Sequence, residues 1–266
     1  MGALKGMFSF FTMIRLDITR EDMDAMDRHF WMVPTVGAFY GIIAAVMMVA
    51  LTSFLYVNSL VAAVITFFAI FWINRFLHID GTIDVGDGLV VAGTKEDHLR
   101  ALKDTGIGAG GMAFALMIIL LSITMVASVH VLLIAFVFFS AEVLAKVGMV
   151  SAAAFGEPGE GMAGNSVRST TILSLFYAAI SASVLIFLCG LSIHLLELHT
   201  SLSVGLPGSV FLLSIVSMVV AILTGFLMAS VAKKNFGMVN GDVLGATNEI
   251  TRAAVLLTFL IFISVI

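Results

Sequence analysis

Residues 60–88 read LVAAVITFFAIFWINRFLHIDGTIDVGDG, an apolar run that ends in three carboxylates within eight positions, Asp80, Asp84 and Asp87. The first half of this stretch decides the fold. A helix needs ~20 predominantly apolar residues to cross ~30 Å of hydrocarbon, and a helix or a closed barrel alone satisfies its backbone there. The second half points to chemistry. At about 4 Å and an effective dielectric near 20, two like charges repel by roughly 4 kcal/mol, so three ionised Asp side chains this close require a cation or protonation. A hard divalent metal is the simplest answer.

The rest of the chain repeats the apolar theme. Of 266 residues, 61% are hydrophobic and 11% charged, and the mean hydropathy of +1.14 lies far outside the range of soluble domains. Spans are predicted near residues 34–57, 60–77, 108–127, 130–150, 170–191, 208–231 and 252–266. No strand-like alternation of useful length appears. The fold expected is all-α: a polytopic integral membrane bundle of about seven transmembrane helices, forming one domain over residues 1–266.

The breaks between spans differ in charge. Asn58-Ser59, Ser128 to His130 and roughly 192–207 carry no Lys or Arg. All 13 basic residues fall in the N-terminal segment or at and near the remaining breaks, among them Lys5, Arg75, Lys103, Lys146, Arg168, Lys233, Lys234 and Arg252. By the positive-inside bias these face the cytoplasm, and the acids follow them except Glu197. The expectation is a multi-pass protein of the cell membrane with its active site on the cytoplasmic face. Polar work is expected in loops near 77–108, 155–170 and 233–251.

Other classes recede. The net charge is −4 and the basic residues form no stripe, so no nucleic-acid partner is expected. The lone Cys189 excludes an intrachain disulfide. Phe8, Phe10 and Phe11 beside Lys5 and Arg15 read as an amphipathic N-terminal helix in the headgroup layer. Thr19 followed by Asp22 reads as the start of a short cytoplasmic helix.

If residues 80–87 are helical, Asp80, Asp84 and Asp87 at i, i+4 and i+7 fall within about 60° on one face. Gly81, Gly86 and Gly88 each cost such a helix roughly 1 kcal/mol relative to Ala, so close approach of a phosphate or a bend is expected there. Lys103 to Gly111 is a Gly-rich turn running into a span, a pattern that presents free N–H groups to an anion. Asp242 and Glu249, seven apart before the last span, could complete a metal site or bind a substrate hydroxyl. Glu142 and Lys146, at i and i+4 in the fourth span, read as an intramembrane pair. His78 borders the acids and is placed to ligate metal or move a proton.

With these motifs quoted, the chain resembles the cobalamin synthase family of membrane-bound adenosylcobinamide-GDP ribazoletransferases. The family's His-x-Asp-Gly-x-x-Asp-x-x-Asp-Gly block is matched without gaps from His78 to Gly88. Its Gly-Asp-x-x-Gly-Ala-x-x-Glu block is matched by Gly241, Asp242, Gly245, Ala246 and Glu249. Its Lys-Asp-Ser-Arg-(Ile/Leu)-Gly block keeps Lys103, Asp104, Ile107 and Gly108 but has Thr105 and Gly106 for Ser and Arg. The usual Ser-Arg and Pro-Tyr-Ala-Arg elements appear instead as Ala141-Glu142 and the stretch around Ala154 to Glu157.

The resemblance implies transfer of a cobinamide phosphoryl group from a GDP-activated donor to a hydroxyl of α-ribazole or its 5′-phosphate, with GMP leaving, at a magnesium site. Magnesium is then expected on Asp80, Asp84 and Asp87, with Asp87, Asp104 and His78 as catalytic groups. Lys103, Gly108, Asp242, Glu249, Glu142 and Lys146 are expected to meet substrate. The partners are the two small molecules and the lipid bilayer, with room left for a homo-oligomer. The nearest rival is a CDP-alcohol phosphatidyltransferase, whose acidic motif begins like Asp84-x-x-Asp87-Gly88 but diverges at Val91-Ala92. A cation transporter would need its acids at mid-span.

Overall fold

A computed structural model describes residues 2–199 and 208–263. Among them are twelve α-helices and no strand, only an isolated bridge between Pro158 and Val239. The helices are α1 (Gly2–Phe11), α2 (Arg20–Arg28), α3 (Pro34–Val49), α4 (Ser59–Ile73), α5 (Leu77–Val90) and α6 (Lys95–Leu102). They continue as α7 (Ala109–Ser128), α8 (Val131–Phe155), α9 (Gly161–Ser169), α10 (Ile172–His199), α11 (Gly208–Asn235) and α12 (Gly241–Ile263).

Six helical segments are long and apolar enough to cross a membrane: α3 with its flanking turns, α7, α8, α10, α11 and α12. Helix α4 with α5 makes a seventh candidate, bent by 93°. Counting the bent pair as one span restores the expected seven. Helix α5 turns away from α4 at the bend.

Three boundaries differ from the sequence reading. The expected loop at 77–108 is mostly helix, α5 and α6. Residues 241–251 are the first turns of α12, so the last span is a helix of 23 residues, not about 15. Within 155–170, α9 takes 161–169. The cause is common to all: a hydropathy boundary marks where a helix becomes polar, not where it ends. The expected ends of the last span at 264–266 and of the break at 200–207 lie outside the described residues.

Helix α8 is mainly apolar and almost wholly buried, with α3, α10, α11 and α12 packed around it. The outer helices show large apolar side chains outward, including Phe68 and Trp72 on α4, Phe176 and Phe187 on α10, and Ile215 and Leu227 on α11. Water would reject such a surface and lipid accepts it.

Helices α1 and α2 form an arm over one end of the bundle. Thr19 and Asp22 close a reciprocal capping box at the start of α2, as predicted. Helix α1 is amphipathic, and part of its apolar face meets protein. Met7 and Phe11 are buried, and the Phe8 ring lies 5.4 Å from that of Phe39. The arm is tied to the bend between α4 and α5, where Arg75 and Phe76 both adopt left-handed backbone (φ 57° and 58°). There Arg75 Nη2 donates to Phe10 O at 2.6 Å and Met13 N to Ile73 O at 2.7 Å.

Candidate active site

Helix α5 presents Asp80, Asp84 and Asp87 in the predicted helical register. The glycines between them have a different purpose from the one expected. A Cβ at Gly81 would stand 2.6 Å from Asp242 Cα, so α12 crosses α5 at backbone contact there. A Cβ on Gly86 would meet Gly111 and Phe114 of α7, and one on Gly88 would meet Phe236. These residues admit neighbouring helices, not a phosphate.

The crossing at Gly81 brings Asp242 of α12 to the acids of α5. Asn240 Nδ2 donates to Asp242 Oδ2 at 2.7 Å and fixes that side chain. The carboxyl of half-buried Asp84 stands among those of Asp242, Asp80 and Asp87. Four carboxylates thus share one face, and every neighbour acting on the charge of Asp84 is acidic.

Asp87 has a second duty. Its Oδ2 accepts from Gly108 N and its Oδ1 from Gly111 N, both at 2.7 Å. The anion at the Gly-rich start of α7 is therefore the protein's own, which corrects the expectation that Gly108 offers its N–H to substrate. Asp104 accepts from Gly106 N at 3.0 Å in a tight turn and shares a shallow open cleft with Asp87. Lys103 is exposed, with Nζ 3.7 Å from Glu160 Oε2.

Glu142, Lys146 and Glu249 belong elsewhere. Glu142 pairs with Arg252 and not with Lys146: Nε and Oε1 approach to 2.7 Å, and Nη2 donates to Oε2 at 3.2 Å. Arg252 Nη1 also donates to Glu249 Oε2. Lys146 Nζ donates to Asn248 Oδ1 at 2.7 Å and stands 3.4 Å from His78 Nε2. Asn248 Nδ2 returns a bond to Glu249 Oε1 at 2.9 Å, and His78 Nδ1 lies 3.7 Å from the same oxygen. All six side chains are buried. Two formal cations balance two formal anions, and the rings of Tyr40 and Phe67 lie within 5.2 Å and 5.6 Å of Lys146 Nζ and Arg252 Cζ.

Sequence reasoning missed Arg252, which it assigned to the cytoplasmic face along with Lys146. Both lie wholly inside the bundle. The available signal was an Arg three residues after Glu249 on a helix that must be apolar elsewhere. This network joins α5, α8 and α12, and so holds the helices that carry Asp80, Asp84 and Asp242.

Beside the acids opens a narrow cleft, with Asp80 and Asp242 among its lining and His78 on its wall. Its other walls are mainly apolar, from Phe10 and Phe11 of α1 to Met149 of α8 and Met162 of α9.

The donor set suits a hard divalent cation: crowded carboxylate oxygens without soft ligands. Among the described residues no three His, Cys, Asp or Glu side chains converge as ligands on one point. Asp80, Asp84 and Asp242 are the acids of this face not engaged in capping α7.

Comparison with known proteins bears on what this face does. A chain from Methanococcoides burtonii named adenosylcobinamide-GDP ribazoletransferase is 27% identical over 99% of this chain and 93% of its own length. Chains of the same name from Methanocella arvoryzae and Halorubrum lacusprofundi are each 30% identical over 96% of this chain, and over 94% and 95% of their own lengths. No solved structure shows a significant match. The sequence profile of CobS, cobalamin-5-phosphate synthase, matches residues 3–260. With that match running from α1 to α12 and taking in every acid of the cluster, the chain belongs to the cobalamin-5-phosphate synthase family.

Proposed function

We propose that this chain is a transferase joining adenosylcobinamide-GDP to α-ribazole or α-ribazole 5′-phosphate, the activity for which its curated relatives are named. The acceptor hydroxyl oxygen forms a bond to the cobinamide-bearing phosphorus, the bond from that phosphorus to GMP breaks, and the hydroxyl proton leaves to a nearby base. The observation that carries this reading is the meeting of Asp80 and Asp84 with Asp242 across the Gly81 crossing, at the lip of a cleft. The same relatives favour it over a CDP-alcohol phosphatidyltransferase or a cation transporter.

Phosphoryl transfer asks mainly for positioning and for neutralised charge. Asp80, Asp84 and Asp242 would hold magnesium, which when bound supplies positive charge to the transferring and leaving oxygens. Asp87 acts by fixing α7 against α5, and Asp104 lines a separate shallow cleft with it. Lys146, Glu142 and Glu249 act by holding α5 and α12 in register, and His78 joins that network from the wall of the cleft. Lys103 is exposed, and a phosphate would compete for it with Glu160. The basic residues outside the bundle core support a site on the cytoplasmic face of the cell membrane.

The test is reconstitution. Protein purified into lipid is given magnesium, adenosylcobinamide-GDP and α-ribazole or its phosphate, and GMP and the corrinoid product are followed by mass. A complete cobamide with GMP in equal amount, lost on adding EDTA and restored by magnesium, is the expected result. GMP release without cobamide, or turnover unaffected by EDTA, overturns the reading or its metal.

A further inference from the structure

We propose that the cleft beside Asp80 and Asp242 seats the aromatic base of the nucleoside acceptor, and that Met162 and Ala163 of α9 set which base it admits. The inference rests on the transferase reading above and adds to it the location and selectivity of one substrate.

The chemistry of the walls chooses between the two substrates. The free space is narrow and opens to solvent, too small for a corrin macrocycle with its amide side chains. The walls are mainly apolar, with three aromatic rings, Phe10, Phe11 and Phe30. A flat heterocycle stacks on such walls, and one without the hydrogen-bonding edge of guanine asks for no polar partner from them.

The polar groups at the wall are mostly occupied. Ser166 Oγ donates to Asp27 Oδ1 at 2.5 Å, and His78 is engaged with Asn74 and Lys146. Recognition of the base is therefore by shape. The acids stand at one side of the cleft, so a base buried in it leaves its ribose toward Asp80 and Asp242, where the reacting hydroxyl is needed.

A lipid chain is the other apolar occupant. The cleft is closed on one side by the short helices α1, α2 and α9 and on the other by α5, α8 and the start of α12, with Asp80 and Asp242 in its lining, charges that an acyl chain would leave without water. Met162 is itself 45% exposed at the mouth, and Ala163, partly buried against the core, lies 3.7 Å from where a Cβ on Gly241 would stand.

The experiment measures KM for α-ribazole at saturating adenosylcobinamide-GDP, and the converse, in wild type, Ala163→Phe and Met162→Ala. Ala163→Phe is expected to raise the nucleoside KM about tenfold or more while the donor KM stays within about twofold. Met162→Ala is expected to shift kcat/KM toward a bulkier benzimidazole nucleoside over unsubstituted benzimidazole nucleoside by about tenfold. If Ala163→Phe does not fold, the exposed Met162→Ala decides alone. A change in donor KM with the nucleoside KM fixed, or competition by added phospholipid and not by free benzimidazole, overturns the assignment. Failure of wild type to make cobamide at all sinks the transferase reading and this one with it, whereas an active wild type with indifferent variants sinks this one only.

Discussion

Arg252 and Glu142 meet with Nε and Oε1 2.7 Å apart and no exposure to solvent, although 110 positions separate them in the chain. The pair joins the last helix of the bundle to its central one. Breaking a buried ion pair from one side leaves a charge with no water and no partner, a cost of about 3–5 kcal/mol. Arg252→Met is expected to lower the thermal unfolding midpoint in detergent micelles sharply. The double variant Arg252→Met/Glu142→Gln is expected to recover part of the loss. Equal midpoints for wild type and Arg252→Met would refute the role.

Two neighbouring acids should respond in opposite ways. Asp87 serves two backbone N–H groups of α7, and losing such a cap costs ~1 kcal/mol or more, so Asp87→Ala should lose stability as well as activity. Asp84 stands among like charges and has no such duty. Asp84→Asn should lower kcat/KM by about a hundredfold or more while leaving the unfolding midpoint unchanged or higher. Activity and midpoint measured on the same preparations separate the two.

Gly81→Ala tests the helix crossing. Its Cβ would meet Asp242 backbone at 2.6 Å, which neither helix can yield without moving apart. The substitution is expected to cost about 1–3 kcal/mol and to depress activity more than its stability loss explains, since it separates Asp242 from Asp80 and Asp84. Full activity in Gly81→Ala would mean that the crossing does not build the site.

Acid sensitivity outside the membrane follows from two helix caps. Asp22 and Asp97 accept backbone N–H bonds from Thr19 and Thr94, which hold both carboxyls below their usual value near 3.8. A depressed folded value stabilises the fold above the unfolded value, and the contribution disappears as pH falls through the folded one. Asp97→Asn should therefore cost stability at neutral pH and little in strong acid. Unfolding midpoints of Asp97→Asn and wild type, measured as pH is lowered from about 6 to about 2, should converge.

The spans were legible because hydrocarbon imposes a simple length and composition rule, and the register of Asp80, Asp84 and Asp87 because a helix repeats every ~3.6 residues. Partnership was not legible. Lys146 sits four residues from Glu142, and local spacing made them a pair; the actual partner of Glu142 comes from α12. The meaning of Gly81 was equally hidden, since the absence of a side chain serves a phosphate and a neighbouring helix alike. Helix α5 itself reads as a loop because three glycines lower its propensity, and contacts with α7 and α12 override that preference.

The cleft draws Phe10 and Phe11 from the start of the chain and Gly241 to Gly245 from near its end. During synthesis the first helix leaves the ribosome long before the last. A nascent chain that has already anchored itself in the bilayer therefore has no place to receive substrate until α12 is threaded and α1 folds over it. Assembly of the bundle and creation of the reaction chamber are completed by the same final event, so a chain stalled before α12 is anchored but inert.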